Sequence, residues 1–531
     1  MDLPGLRGSD VSYFDGRRCR RRIEALDAPL TLAATSGWIA IASPFVPSIC
    51  GGAPSTSGKV SLVGAWHPTR QLGHVPVRIR FCATEATRQS KRALTSAMIP
   101  SPQNLSAQRS PDAGALASAT VIEGSHTVVI VGGGAAGIGV AASLLAREPD
   151  LDIALIDAAQ THYYQPGFTM VGGGFFDAGA TVRRMVDCLP PKVRWIEAEV
   201  SAFEPEQNQV VLSYGRRVRY ERLIVCPGLT LNWEGIEGLA ETLGRNGVTS
   251  NYRFDLAPYT WQLVNSLRGG QAFFTQPPMP IKCAGAAQKA MYLSCDAWRQ
   301  KGTLSSTTVR FYNAGAVLFG VADYVPALMS YVEAYGIDLC FQHTLVGIDG
   351  PGRIARFNRV MPDGSVQIVE ETFDMIHVVP PQVAPDFIKT SPLADHAGWI
   401  DVNPTTLRHT SFTNIWALGD ATNTTNAKTM AAARKQAPIV AHNVLASLGR
   451  VTGQAKYDGY GSCPLTVERG KIVLAEFVYG GKIKPTFPDW IIDGTKPSRV
   501  AWMLKTNVLP PLYWQGMLKG REWLARPELA E

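Results

Sequence analysis

Residues 126–157 constrain the fold more tightly than any other stretch. His126–Val131 (HTVVIV) is a short β-branched run of the kind that forms a buried parallel strand. It enters Gly132-Gly133-Gly134-Ala135-Ala136-Gly137, a G-x-G-x-x-G sequence, and Ile138, Val140, Ala141, Leu144 and Leu145 follow at helical spacing. A second apolar strand, Ile153–Ile156, ends at Asp157. Gly132 permits the tight turn, Gly134 lets the backbone approach a pyrophosphate, and Gly137 lets helix and strand pack closely. The helix N-terminus then faces the diphosphate, and Asp157 accepts from ribose hydroxyls. The glycines alone would be a weak signal; with strand, helix, second strand and terminal acid in order they predict a dinucleotide-binding unit.

Two later segments favour FAD as the dinucleotide. Asn414–Leu418 reads as a strand entering Gly419-Asp420, which places Asp420 at a flavin's ribityl chain, with a helix expected over Ala421–Val440. Leu223–Val225 runs into Cys226-Pro227-Gly228, a strand-to-glycine hinge at which such chains re-enter the FAD domain. The fold expected is α/β, with two Rossmann-like dinucleotide-binding domains of the FAD/NAD(P)-type flavoprotein fold and a C-terminal amphipathic membrane-associating region. The boundaries read as a targeting extension over 1–125, an FAD domain over 126–230 and 386–450, a second Rossmann-like domain over 231–385, and a C-terminal region over 451–531.

The second domain lacks its own glycine fingerprint. Its first strand, Gln271–Thr275, is followed by Gln276-Pro277-Pro278-Met279-Pro280-Ile281-Lys282-Cys283. Three prolines remove amide donors that a phosphate would need, so NAD(P)H is not the expected electron source. Cys283 instead precedes the helical run Ala286–Trp298. A thiolate there is favoured by the helix dipole and by neighbouring Lys282.

Charge is unevenly spread. The net charge is +7 over 531 residues. Residues 1–125 hold 14 Lys/Arg against 8 Asp/Glu, and the remainder hold 37 against 36. A nearly neutral body excludes a nucleic-acid partner, which would demand a concentrated basic surface. The N-terminal segment clusters Arg17, Arg18, Arg20, Arg21 and Arg22 and has no acidic residue from Ala28 to Thr84. Arg-rich and acid-poor composition is that of an organelle transit peptide, here for mitochondria. The nine cysteines include no C-x-x-C and no zinc spacing, so no metal is expected.

Several further motifs occur in order: His162-Tyr163-Tyr164-Gln165-Pro166-Gly167, Lys282-Cys283-Ala284-Gly285-Ala286, Val378-Val379-Pro380-Pro381, Gly419-Asp420, Lys428-Thr429 and Tyr457-Asp458-Gly459-Tyr460-Gly461-Ser462-Cys463. Together they closely resemble the sulfide:quinone oxidoreductases of mitochondria and some bacteria, from about residue 126 to 525. The resemblance implies that Cys283 and Cys463, which spacing alone would not pair, form the redox centre beside FAD. Hydrogen sulfide would attack their sulfur bridge, leaving a persulfide on Cys463 and a thiolate on Cys283. Electrons would pass to ubiquinone, and the sulfane sulfur to a small acceptor such as glutathione, sulfite or a second sulfide. Ala135, Ala136, Asp157, Gln165, Val200, Asp420 and Lys428 fall where relatives touch FAD, Lys428 near the pyrimidine end. Cys226 is a third candidate, either a sulfur shuttle or a small buried hydrophobe.

The C-terminus interleaves Trp502, Tyr513, Trp514 and Trp523 with Lys496, Arg499, Lys505, Lys519, Arg521 and Arg526. On a helical wheel Tyr513, Met517, Gly520 and Leu524 share one face. That pattern predicts an interfacial helix and a monotopic attachment; the resemblance implies that the membrane is the mitochondrial inner membrane and places Phe319 and Tyr513 near the quinone. Truncation after Gly494 should then spare sulfide oxidation and impair only quinone reduction. Two other readings stay open, a type-II NADH:quinone reductase-like flavoenzyme and a non-catalytic FAD protein; homo-oligomerisation is also open.

Overall fold

The computed structural model describes residues 121–530. The expected targeting segment 1–125, with Cys19, Cys50 and Cys82, lies almost entirely outside the described residues. The chain begins with β1 (Ile122–Val131), α1 (Ala135–Arg147) and β2 (Ile153–Ile156). β3 (Arg194–Ile196) and β4 (Arg217–Val225) extend the same sheet. The second sheet is built from β5 (Val248–Thr249), β6 (Gly270–Gln276), α2 (Ala286–Lys301), β7 (Thr307–Asn313), β8 (Ile337–Phe341) and β9 (Met375–His377). The chain then returns to the first sheet with β10 (Ile415–Ala417), followed by α3 (Met430–Ser447) and the hairpin β11 (Gly461–Glu468) and β12 (Lys471–Phe477).

The first sheet has the parallel order β3-β2-β1-β4-β10, with an antiparallel hairpin (Val200–Glu204 and Gln209–Leu212) beside the first half of β4. Its register aligns the strand ends. Val131 lies opposite Ile156 and Val225, Ile156 opposite Ile196, and Val225 opposite Ala417. Gly132, Asp157, Cys226 and Gly419-Asp420 therefore follow the strands along one carboxyl edge, where open α/β sheets bind ligands. Val128–Ile130, Ile153–Ile156 and Leu223–Val225 are buried, as continuous apolar runs in a doubly covered parallel sheet demand. The second sheet, ordered β5-β9-β6-β7-β8 and wholly parallel, repeats the plan.

Two expected helices differ. The one expected from Ala421 begins only at Met430, capped by Thr429, whose side chain accepts from the Ala432 amide. The intervening Thr422-Asn423-Thr424-Thr425-Asn426 is a run of residues that resist helix through stiff χ1 angles and local side-chain hydrogen bonds. It forms a loop instead. The C-terminal amphipathic helix is also replaced. A short helix (Arg499–Met503) gives way to wide i→i+5 turns over Leu504–Val508 and Leu512–Gly516, separated by Pro510 and Pro511, which cannot donate to a regular ladder.

Of the face expected to meet lipid, Tyr513 and Met517 pack inward and Leu524 stays exposed. Tyr513, Trp514, Met517 and Leu518 are buried in the main hydrophobic cluster with β1, β2 and β4. Met517 lies over Gly139 of α1, where an added Cβ would stand 3.0 Å from its Cε. Among the described residues no helix is long and apolar enough to cross a membrane.

A chain ending at Gly494 lacks four core side chains, so it should lose the fold rather than one half-reaction. Met517→Ala alone should cost about 2–5 kcal/mol, the usual range for a core Met→Ala change. Urea unfolding checks both, and a truncated chain as stable as the full one would contradict this packing.

Candidate active site

The glycine turn has the shape a dinucleotide requires. Gly132 stands at φ +105°, and a Cβ there would lie 2.5 Å from the Cys226 carbonyl oxygen. On Gly137 a Cβ would lie 1.8 Å from the Gly132 carbonyl oxygen. Gly134 differs: an added Cβ meets nothing within 4 Å, so its approach side is open. Asp157 accepts from the Gly133 amide at 2.5 Å and from the Ala159 amide at 2.7 Å, and so braces the turn itself. Its free lone pairs remain for ribose hydroxyls. An open, amide-lined glycine turn at a helix N-terminus fits a diphosphate.

On the opposite side of the edge, Gly419 at φ +78° comes so near Ala136 that a Cβ would sit 3.2 Å from it. Lys428 is spent on this turn. Its ammonium donates to the carbonyl oxygens of Asp420 (2.9 Å) and Thr422 (2.7 Å) and lies 4.4 Å from the Trp399 ring centre. Burial lowers its pKa to about 8. Gln165 accepts from the Lys282 ammonium at 2.5 Å. Val200 is half-buried at the start of the hairpin, and Gly228 stands at φ +81° with open space about it.

Backbone pairing brings the second domain's cysteine to this edge. The Cys283 amide donates to the Lys428 carbonyl at 2.9 Å, within a bridge pairing Lys282 with Lys428. Cys283 itself is left-handed, φ +51°, a costly conformation for a side-chain-bearing residue. The Tyr252 hydroxyl holds it from below, donating to the Lys282 carbonyl at 2.9 Å. Cys463 arrives from β11, and the two sulfurs stand 3.3 Å apart. That is roughly 1.2 Å beyond the bond length of about 2.05 Å, so a small side-chain movement closes the bridge. Gly285 makes room: a Cβ there would lie 2.5 Å from the Cys463 sulfur. The start of α2, where a nucleotide would sit in a second dinucleotide domain, is thus covered by the Cys463 strand.

The pair is electrostatically unequal. The Cys463 thiol donates to Cys283 and the Lys289 ammonium donates to Cys283 at 3.1 Å, which together hold the Cys283 thiol well below its ordinary range against the opposing effect of burial. Cys463, giving up its proton last and buried, is pushed well above. Burial would lower the pKa of Lys289, but the two cysteines reverse that and raise it. Lys289 is only 4 % exposed and so is Lys505. Burial and the charge of Lys289 drive Lys505 down to about 7, so it can gain or lose a proton near neutrality.

Sequence reasoning assigned the thiolate's cation to Lys282, which turns to Gln165 instead. Lys289, one turn into α2 beyond Cys283, carried a usable signal because it shares the N-terminal end of that helix. Lys505 and Tyr252 carried none. Cys226 does not join the pair. It is buried, donates weakly to the Gly132 carbonyl at 3.7 Å, and burial pushes its pKa above the ordinary thiol range. Phe319 and Tyr513 are not brought together: Phe319 packs with Tyr324 and Phe477 in the second core, Tyr513 in the first.

Residues 126–262 match the family described as pyridine nucleotide-disulphide oxidoreductase. With the two Rossmann sheets and a cysteine pair at their junction, this defines an oxidoreductase of the flavin-bearing disulphide reductase class. The "Sulfide:quinone oxidoreductase, mitochondrial" of Dictyostelium discoideum is 40% identical over 405 residues, 76% of this chain and 88% of that protein. Its namesake from Mus musculus is 34% identical over 395 residues, 74% and 87% of the two chains. The fold also matches the X-ray structure of the sulfide:quinone oxidoreductase from Aquifex aeolicus at a TM-score of 0.62 and 17% identity, covering 76% of this chain and 97% of that one. The chain belongs to the sulfide:quinone oxidoreductase family.

Replacing Lys289 by Met should move the Cys283 thiolate titration of the reduced protein to higher pH, by about one unit or more, since the cation favours only the charged form. Lys289→Arg should keep it low. Because the folded value lies below the free thiol's ~8.5, Cys283 stabilises the reduced protein above that pH and loses this contribution as pH falls through its folded value. Thiolate absorbance near the ultraviolet edge follows the titration; an unmoved step in the Met variant would remove Lys289 from this role.

Proposed function

We propose that the chain oxidises hydrogen sulfide at the Cys283–Cys463 pair, with FAD carrying the electrons to ubiquinone and a small acceptor (glutathione, sulfite or sulfide) taking the sulfane sulfur. The observation that carries the reading is the pair itself: two sulfurs 3.3 Å apart with a buried ammonium on one of them. Gly132, Gly134, Gly137, Asp157 and Asp420 would hold FAD, with Lys428 bracing the Asp420 turn. When bound, FAD supplies the two-electron acceptor that restores the cysteine bridge and the donor that reduces quinone.

The residues order the sulfur chemistry. In the bridged form, hydrosulfide attacks one sulfur, a new S–S bond forms and the Cys283–Cys463 bond breaks. The better leaving thiol is the one whose thiolate is more stable. Lys289 and the pairing geometry make that Cys283, so attack falls on Cys463, which becomes the persulfide while Cys283 leaves as thiolate. An acceptor nucleophile then takes the outer sulfur, Cys463 departs as thiol or thiolate, and Lys505 is placed to hold or release the proton this needs. Re-oxidation of the two thiols to the bridge would close the cycle, the two electrons passing to the flavin that the Gly132 and Asp420 turns would hold.

Membrane attachment rests on exposed apolar side chains of which the helical wheel selected only Leu524. Trp490 is 85 % exposed and Met503 62 %, with Val500, Val508, Trp523 and Leu524 also exposed among Arg499, Lys519 and Arg521. Such a surface suits an interface of anionic lipid. The relatives' names place them in mitochondria, which favours import directed by residues 1–125 and a peripheral site on the inner membrane.

Cys283→Ser and Cys463→Ser should each abolish sulfide-dependent quinone reduction and keep yellow flavin, since neither holds the dinucleotide. Gly134→Val should lose flavin without disturbing the protein, because the new side chain would fill only ligand space. Anaerobic spectra with sulfide, then with NADH, test the reading: bleaching by NADH and not by sulfide would favour a type-II NADH:quinone reductase, and no bleaching by either a non-catalytic flavoprotein.

A further inference from the structure

The C-terminal segment reaches the dinucleotide turn through a buried histidine. His162 Nδ1 lies 3.2 Å from the Gly133 carbonyl oxygen, and its Nε2 lies 2.6 Å from the Tyr513 hydroxyl. A carbonyl only accepts, so Nδ1 carries the ring proton. Nε2 is then a bare lone pair, and the Tyr513 hydroxyl must donate to it. Burial holds His162 neutral by lowering its pKa to about 4, which keeps this tautomer through the physiological range. The Gly133 amide, which belongs to the preceding peptide, is held separately by Asp157. Tyr513 and His162 thus form a directional hydrogen-bond chain that ends on the Gly133 carbonyl, in which each link polarises the next.

We propose that Tyr513 and His162 are positioning residues for the dinucleotide, through which the C-terminal segment sets the glycine turn and controls retention of FAD. The proposal rests on the FAD reading above. Its geometry is specific. A trans peptide points its N–H opposite its C=O. Holding the Gly133 carbonyl on His162 therefore turns the Gly134 amide the other way. Gly134 is the position where an added Cβ meets open space. The same histidine that anchors the turn thus presents a donor for a phosphate oxygen.

Tyr513 is itself held by a series of contacts along α1, the helix that begins at the turn. Met517 covers Gly139, and Gly520 at φ +71° presses so close to the Ala142 carbonyl that a Cβ would stand 2.4 Å from it. Glu522 takes both guanidinium branches of Arg147 and accepts from the Ser143 hydroxyl at 2.5 Å. Trp514 stacks beneath Arg183 at 4.1 Å, and Tyr513 packs on Tyr164 with ring centres 4.9 Å apart. Residues 513–522 therefore clasp successive turns of the phosphate-binding helix. The exposed side chains proposed to meet the membrane, Met503 and Trp523, flank the same clasp.

The test is release of flavin from the purified full-length protein. Wild type, Tyr513→Phe, His162→Asn, the double variant and Trp523→Ala are diluted, and the rise of free-flavin fluorescence gives the dissociation rate. Tyr513→Phe removes one hydroxyl and strands the His162 lone pair, so the rate should rise on the order of tenfold. Melting of the flavin-free protein should stay within about 2 °C, since a role confined to the turn leaves the core packing intact. Asparagine at 162 still donates to Gly133, but its shorter side chain does not carry its amide oxygen to Tyr513, so adding Tyr513→Phe to it should change nothing further. Trp523→Ala, which alters only the exposed surface proposed to meet the membrane, should release flavin at the wild-type rate. A Tyr513→Phe rate within twofold of wild type, or a matching fall in flavin-free melting, overturns the proposal. Should that variant not fold, Glu522→Gln loosens the clasp from outside; it should accelerate release, and an unchanged rate overturns the proposal equally. Wild type that holds no FAD would instead refute the FAD reading itself.

Discussion

Everything chemical in this structure depends on one stretch of backbone pairing, in which the Cys283 amide donates to the Lys428 carbonyl. It ties the loop before α2 to the loop before α3, so the two Rossmann units meet at one point with fixed geometry. Lys428 serves both sides of that joint. Its carbonyl holds Cys283, while its ammonium closes the Gly419-Asp420 turn. The positive φ of Cys283 is the local cost, and the Tyr252 hydroxyl and the Lys428 pairing together offset it.

On that joint the protein builds an asymmetric dithiol. Burial by itself would raise both thiol pKa values. The outcome is instead split, because one buried ammonium, Lys289, stands on Cys283 and the Cys463 thiol points the same way. Asymmetry of this kind decides which sulfur leaves and which receives the nucleophile. The same low dielectric that makes the ammonium effective makes it expensive unless paired. This accounts for the contrast between Lys289, whose partner raises its pKa, and Lys505, which burial and its cationic neighbour depress.

The C-terminal segment shows how composition can mislead about location. Its aromatic and basic interleaving is real, but the wide turn over Leu512–Gly516 and the left-handed Gly520 at φ +71° break the helical period on which the wheel depended. Aromatic residues that an ideal helix would aim at lipid are turned onto α1, and Met503 and Trp523 are left outside. Large apolar side chains bury wherever the backbone permits, and the permitted path was set by α1's small residues, Gly139 and Ala142, rather than by the segment's own pattern.

The dinucleotide unit was legible in the sequence because its constraints are local. A glycine turn, the strand before it and the acid after it lie within 32 residues and obey backbone sterics that any such chain must satisfy. The absence of a second glycine fingerprint, and the place of Cys283 just before a helix, were legible for the same reason. The partnership of Cys283 with Cys463 came from family resemblance and not from any rule of spacing, since 180 residues separate them. Lys289 on the thiolate, Lys505 behind it, and Tyr513 on His162 were decided only by tertiary structure. Each joins residues whose neighbourhood exists only after two sheets and a C-terminal segment have packed, and burial, which sets their pKa values and their hydrogen bonds, is a property of that packing and of no single segment of the chain.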